Sequence, residues 1–160
     1  MHKAYANTPS GQIHYLHEGR GEALILLHRT PLSAQDYVPV MPLLSAQFWV
    51  IAMDSLGYGN SDSPPGRYTM ADYAGSVVDF MDSLGIQHTS ILGEHTGAAI
   101  AAEVAVAYPM RLDKLIVSGY PLFTEAELVT RRQGQVPDHS RQIEPLELQS
   151  DGSHLLVAWN

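Results

Sequence analysis

Short, unbroken apolar runs separated by polar, glycine-bearing turns organise the first part of the chain. Ala23–Leu27 reads ALILL between Gly21 and Pro31, and Phe48–Met53 reads FWVIAM. Runs of this length with no polar interruption fit strands buried on both faces. Ser90–Leu92 reads as a short strand, and Leu115–Val117 as another buried strand. Upstream, Gly11 breaks the chain before Gln12–His17. There Ile13, Tyr15 and His17 alternate with Gln12, His14 and Leu16, and the Gly19–Gly21 turn follows. Short strands joined by turns are expected, with His14 and His17 on opposite faces.

Between these runs the period changes from two to about 3.6. Thr69 is a good N-cap, Asp72 stands at the third helical position and Gly85 is a stop. Tyr73, Val77, Phe80, Met81 and Leu84 then share one apolar face. After Gly93–Gly97 an alanine-rich helix runs to Tyr108 and stops at Pro109; its small side chains let it lie close to a sheet. A further helix is expected from about Ser33, with Asp36 three residues on, although Pro39 and Pro42 fall inside it. The alternation of strands and helices predicts an α/β fold with a mostly parallel sheet and helices on both faces. Residues 1–120 read as one core. From Pro121 to Asn160 charge rises (Glu125, Glu127, Arg131, Arg132, Glu144, Glu147) and strand-like runs cease, so short helices and loops over the sheet are expected. Leu155–Asn160 reads as the interior of a helix.

Composition acts mainly by exclusion. The chain has 160 residues, 45% apolar and 16% charged, which describes a globular domain able to bury a core. A formal charge of −8 argues against nucleic acid as a partner and against a basic patch on anionic lipid. Without cysteine there are no disulfides and no thiolate chemistry. The N-terminal residues lack the apolar core of a signal peptide, and no window approaches a membrane span. A cytoplasmic location is the default expectation.

The chemistry centres on Gly93-Glu94-His95-Thr96-Gly97, set between a strand and a helix of small residues. A sharp strand-to-helix turn lifts its middle side chain above the sheet, and flanking glycines let neighbouring backbones come close. The helix N-terminus directs N–H groups at the same place. Two other segments join it. His28-Arg29-Thr30-Pro31 follows ALILL, and Asp54-Ser55-Leu56-Gly57-Tyr58-Gly59-Asn60-Ser61-Asp62 follows FWVIAM. With these three segments in this order and spacing, the chain resembles the α/β-hydrolase family over about residues 2 to 120, with the later part of the fold missing. Residues 121–160 resemble the start of the helical lid of many members.

The resemblance implies particular roles. The backbone N–H groups of Thr30 and Thr96 fall where the family forms its oxyanion hole. His28 falls at the start of the oxyanion loop, where it is expected to brace the loop by hydrogen bonds. Arg29 stands where glycine is usual; if that glycine serves an unusual backbone angle, Arg29 is strained. His95 occupies the position of the nucleophilic serine, and no other serine lies in the turn. The family's acid and base come from later strands, and His139 and His154 lie too early to be that base. Imidazole titrates near neutrality, so His95 could be a general base or a nucleophile, or it could merely fill a degenerate site. Glu94 adjoins it but is expected to point away.

Other chemistry is weaker. His28, His95 and Asp54 could approach one another at strand ends, but no metal site is expected from them. Gly57-Tyr58-Gly59 lacks the remainder of a dinucleotide fingerprint, so no cofactor is implied. Three readings stay open: a hydrolase acting on a small ester or other carbonyl compound, a non-catalytic binder of a small apolar molecule, and an inactive fragment. The partner in either active case is a small molecule. In the family topology a later strand flanks Leu115–Val117; with that strand missing the edge is open, so the isolated 160-residue chain is expected to form a homodimer through it or to aggregate.

Overall fold

The computed structural model describes residues 1–64 and 66–133. The chain divides into two units, Met1–Pro121 and Leu122–Asn160, the second described only as far as Gln133. The second unit contains α4 (Glu125–Arg132), opened by Thr124, whose backbone and hydroxyl donate to the Glu127 carboxylate. His139, His154 and the segment read as a helix interior lie outside the described residues.

The first unit is built on β1 (His2–Thr8), β2 (Gly11–Glu18), β3 (Glu22–Leu27), β4 (Phe48–Met53), β5 (Thr89–Glu94) and β6 (Leu112–Ser118). They form one sheet in the order β1-β2-β4-β3-β5-β6. β1, β2 and β4 pair antiparallel; β4, β3, β5 and β6 are parallel. This is the mostly parallel α/β sheet that the apolar runs predict, extended by an antiparallel pair at one edge.

Side-chain alternation along the strands builds a core on each face. On one face Ile13, Ile25, Leu27, Ile51, Met53 and Ile91 pack with Phe80 and Met81 of α2 (Met70–Ser83) and Ala101 and Val104 of α3 (Thr96–Ala107). On the other, Leu16, Leu24, Leu26, Val50 and Ala52 pack with Ala34, Tyr37 and Met41. Leu24–Leu27 of β3 and Val50–Met53 of β4 are apolar at every position because both faces are covered. α2 begins as its sequence indicates. The Thr69 hydroxyl accepts from the Asp72 N–H, and the Asp72 carboxylate accepts from the Thr69 N–H, a reciprocal capping box.

Two expectations need correction. The helix expected from Ser33 is a 3₁₀ turn, Ala34–Tyr37, followed by a single α-turn, α1 (Met41–Leu44). Pro39 and Pro42 supply no backbone N–H, which prevents one continuous helix across this stretch. The Leu115–Val117 run is a strand but not a buried one. β6 is the sheet edge, and Leu115, Ile116 and Val117 are 38%, 45% and 44% exposed.

Candidate active site

Register places the site. Leu27 of β3 stands level with Met53 of β4 and Gly93 of β5, and Glu94 stands level with Ser118 of β6. The residues that follow, His28, Asp54 and His95, therefore emerge at one end of the sheet. From β3 the chain runs to β4 on one side and later returns to β5 on the other. The end of β3 is thus a switch point, where open α/β sheets place their ligands.

At the end of β5 the chain makes the sharp turn. His95 has φ 49° and ψ −109°, and it is the only non-glycine with positive φ among the described residues. Such a conformation costs of order 1–3 kcal/mol and persists where its surroundings leave no alternative. Here those surroundings are explicit. The His95 N–H donates to the Ser118 carbonyl at 2.8 Å, and its carbonyl accepts from the Ala98 N–H at 3.0 Å. Glycine is required on both sides. A Cβ on Gly93 would lie 2.2 Å from the Gly97 carbonyl oxygen, and one on Gly97 would lie 2.0 Å from the Leu27 carbonyl oxygen. Close packing of α3 on β3 and β5 depends on these two absences. Gly97→Ala is expected to lower stability by about 1–3 kcal/mol or more; urea unfolding measures it, and an unchanged midpoint would contradict this packing.

The His95 side chain is exposed. Its Nδ1 lies 3.3 Å from the Thr96 hydroxyl, which lies 2.8 Å from the Thr30 hydroxyl. Both oxyanion-loop and elbow threonines thus meet through their side chains, a contact that the sequence reading, concerned with their backbone N–H groups, does not include. As the first residue of α3, Thr96 has an N–H without an intrahelical acceptor.

The loop after β3 is fixed from below. His28 is buried; its Nδ1 bonds the Arg29 carbonyl at 2.9 Å, and its Nε2 accepts the Ser55 N–H at 3.1 Å. A ring that donates at one nitrogen and accepts at the other is the neutral tautomer with both nitrogens occupied. It joins the β3 loop to the β4 loop and offers no lone pair to a metal. Among the described residues no three His, Cys, Asp or Glu side chains converge on a metal position. Arg29 is not in the left-handed region, so the strain considered for it does not arise. Its Nη1 lies 3.6 Å from Glu94 and its Nε 3.3 Å from Asp36, tying the loop to the elbow and to the 3₁₀ turn. Glu94 accordingly pairs with Arg29. Beneath them the buried Tyr37 hydroxyl donates to the Leu27 carbonyl at 2.9 Å. Burial raises the Tyr37 pKa, and the Glu94 and Asp36 carboxylates raise it further. An open depression of about 430 Å³ runs alongside, lined by Pro31, Leu32, Ser33, Gln35, Asp36 and Gly59.

Asp54 is the residue whose importance the sequence reading underestimates. Its buried carboxylate lies 2.6 Å from the Ala34 N–H, 2.9 Å from the Asn60 N–H and 2.8 Å from His14 Nδ1. The Ser61 hydroxyl donates to the Asp54 carbonyl and accepts the His14 N–H. A Cβ on Gly59 would lie 2.0 Å from the same carboxylate. One side chain thus holds the start of the 3₁₀ turn, the glycine loop and β2 together. The available signal was His14 itself, a polar residue on the same face as Leu16, whose burial demands a partner.

Residues 22–155 match the family model of the alpha/beta hydrolase fold, and the chain belongs to that family. Curated relatives include haloalkane dehalogenase 2 of Mycobacterium tuberculosis, 31% identical over 79% of this chain and 44% of its own length. Epoxide hydrolase 4 of Mus musculus is 34% identical over 71% of this chain and 34% of its own. Among solved structures, an epoxide hydrolase from an endophytic Streptomyces has a TM-score of 0.75 at 25% identity, covering 82% of this chain and 42% of that one. An N-acyl homoserine lactonase complexed with N-hexanoyl homoserine lactone has a TM-score of 0.72 at 26% identity, over 79% and 48%. The chain spans 34% to 47% of the length of such curated relatives. No helix among the described residues is long and apolar enough to cross a membrane.

Proposed function

We propose that the protein carrying this chain hydrolyses a small, partly apolar ester or other carbonyl compound, such as a lactone. His95 acts at the elbow as base or nucleophile, and the Thr30 and Thr96 N–H groups stabilise the developing oxyanion. The observation that carries this reading is the left-handed backbone of His95, exposed above the sheet and braced by Gly93 and Gly97. Strain of this kind is retained where a side chain must be presented. A lactonase and epoxide hydrolases among the structural neighbours support carbonyl or related hydrolytic chemistry. A second reading, a small-molecule binder without turnover, is favoured by one fact. Glu94 pairs with Arg29, and among the described residues no carboxylate forms an ion pair with His95. Steady-state hydrolysis of short-chain p-nitrophenyl esters and acyl lactones by the whole protein separates the two. Turnover saturable in substrate is expected; calorimetric binding of the same compounds without product would establish the binder instead.

Residues 121–160 belong to this reading as the start of a helical lid (cap) region. Association of the isolated 160-residue chain through an open sheet edge is part of it too. β6 is the sheet edge, with apolar side chains exposed on both faces, and a second copy related by a two-fold axis offers a matching edge. Light scattering of the 160-residue chain is expected to show a dimer or larger species, reduced by Ile116→Lys. A soluble monomer at high concentration would contradict this association.

A further inference from the structure

We propose that the nucleophile of the elbow is the hydroxyl of Thr96, with His95 as its base and Thr30 as the group that orients it. The inference rests on the reading of the elbow as a reaction centre and assigns the attacking atom within it. Three polar atoms are joined in succession: Thr30 Oγ1, Thr96 Oγ1 at 2.8 Å, and His95 Nδ1 at 3.3 Å from Thr96. A hydroxyl has one proton to donate and lone pairs to accept with. If Thr96 donates to His95 Nδ1, it accepts from Thr30, and the row becomes a directed relay from Thr30 to the imidazole. A hydroxyl donating to a base is the pairing of an activated nucleophile, and the Thr30 hydroxyl holds the Thr96 side chain in that orientation. The base–hydroxyl separation is of the looser kind found before substrate binds.

The alternative, attack by His95 itself, leaves both hydroxyls without a chemical role. It also gives an acyl-imidazole that water must clear, with no carboxylate or second imidazole bonded to His95 among the described residues. Attack by Thr96 uses all three groups. The Thr96 oxygen forms a bond to the carbonyl carbon while its proton passes to His95 Nδ1. The carbonyl oxygen becomes an oxyanion facing the N–H groups of Thr96 and Thr30. The carbon–oxygen bond to the leaving alcohol then breaks, and the alcohol takes the proton from His95. Water, deprotonated by His95, attacks the acyl-threonine; its proton returns to the Thr96 oxygen as the acid departs. Atoms and protons balance with water as the only co-reactant.

An alkyl fluorophosphonate tests the assignment on the 160-residue chain without requiring turnover. The hydroxyl forms a P–O bond, fluoride leaves, and the adduct persists for intact-mass measurement and peptide mapping. One phosphonyl group on Thr96 is expected. Thr96→Val should abolish it, Thr96→Ser should retain it, and His95→Gln should slow it by about 100-fold or more. Thr30→Val should slow it less. Urea midpoints for each variant separate loss of reactivity from loss of fold, and retained labelling in Thr96→Ser keeps the test sound if the valine variant unfolds. Label on His95, undiminished labelling in folded Thr96→Val, or no label on the wild-type chain would overturn the assignment. Ester turnover by the whole protein that is unaffected by Thr96→Val would do the same while leaving the elbow as the reaction centre.

Discussion

Asp54→Ala is expected to cost about 3–5 kcal/mol of folding stability, the range for removing one partner from a buried polar pair. Typical domains have only about 5–15 kcal/mol in total, so the variant should be largely unfolded in modest urea. The reasoning follows from what the carboxylate holds. The Ala34 and Asn60 N–H groups and His14 all bond it, and Asp54 and His14 are both buried. Alanine would leave the Ala34 N–H and His14, both buried, without their acceptor in an environment closed to water, where each unsatisfied polar group costs about 1–3 kcal/mol; the Asn60 N–H, on an exposed residue, can turn to water instead. Asp54→Asn should fall between the two, since an amide offers one acceptor oxygen and turns a donor toward partners that include backbone N–H groups. His14→Phe should cost less than Asp54→Ala, because two backbone donors keep their acceptor. Urea midpoints in the order wild type, Asp54→Asn, Asp54→Ala are the expected result. An Asp54→Ala midpoint within experimental error of wild type would show that the loops do not depend on this carboxylate.

How much of this was legible follows the physics of each signal. β3 and β4 could be read residue by residue because strands buried on both faces are apolar at every position. α2 could be read because its cap, its apolar stripe and its stop agree. The elbow was legible as a glycine-flanked turn, and its geometry explains why: both glycines sit where any Cβ would strike backbone. The hydroxyl contact between Thr30 and Thr96 was not legible, since it joins residues far apart in the chain through a loop whose path no local pattern specifies. The same holds for Asp54 with His14 and Ala34. Periodicity reports which side a residue faces, not which polar group meets it there. The stretch from Ser33 was misread because a capping residue and apolar spacing point to a helix, while Pro39 and Pro42 decide how far it can run. β6 was misread as buried because an apolar run looks the same whether or not something covers it.

His95→Ala addresses the central claim, that the strained turn exists to present a reacting imidazole. A positioned general base contributes about 10²–10⁴ in rate. As nucleophile or as base toward the Thr96 hydroxyl, His95 has no substitute among its hydrogen-bond partners, which are threonine hydroxyl and backbone. Folding should survive, because the side chain is exposed and the bonds that fix the turn, from the His95 N–H to Ser118 and from Ala98 to the His95 carbonyl, are made by backbone. His95→Ser should not restore the rate unless a second histidine reaches the turn, since a serine hydroxyl needs a base of its own. The direct measurement is kcat/KM of the whole protein and of its His95→Ala variant on the best ester or lactone substrate, alongside their urea midpoints. The account predicts a fall of at least about 100-fold with folding intact; a wild-type rate in the folded variant would contradict it and leave the binder as the better description.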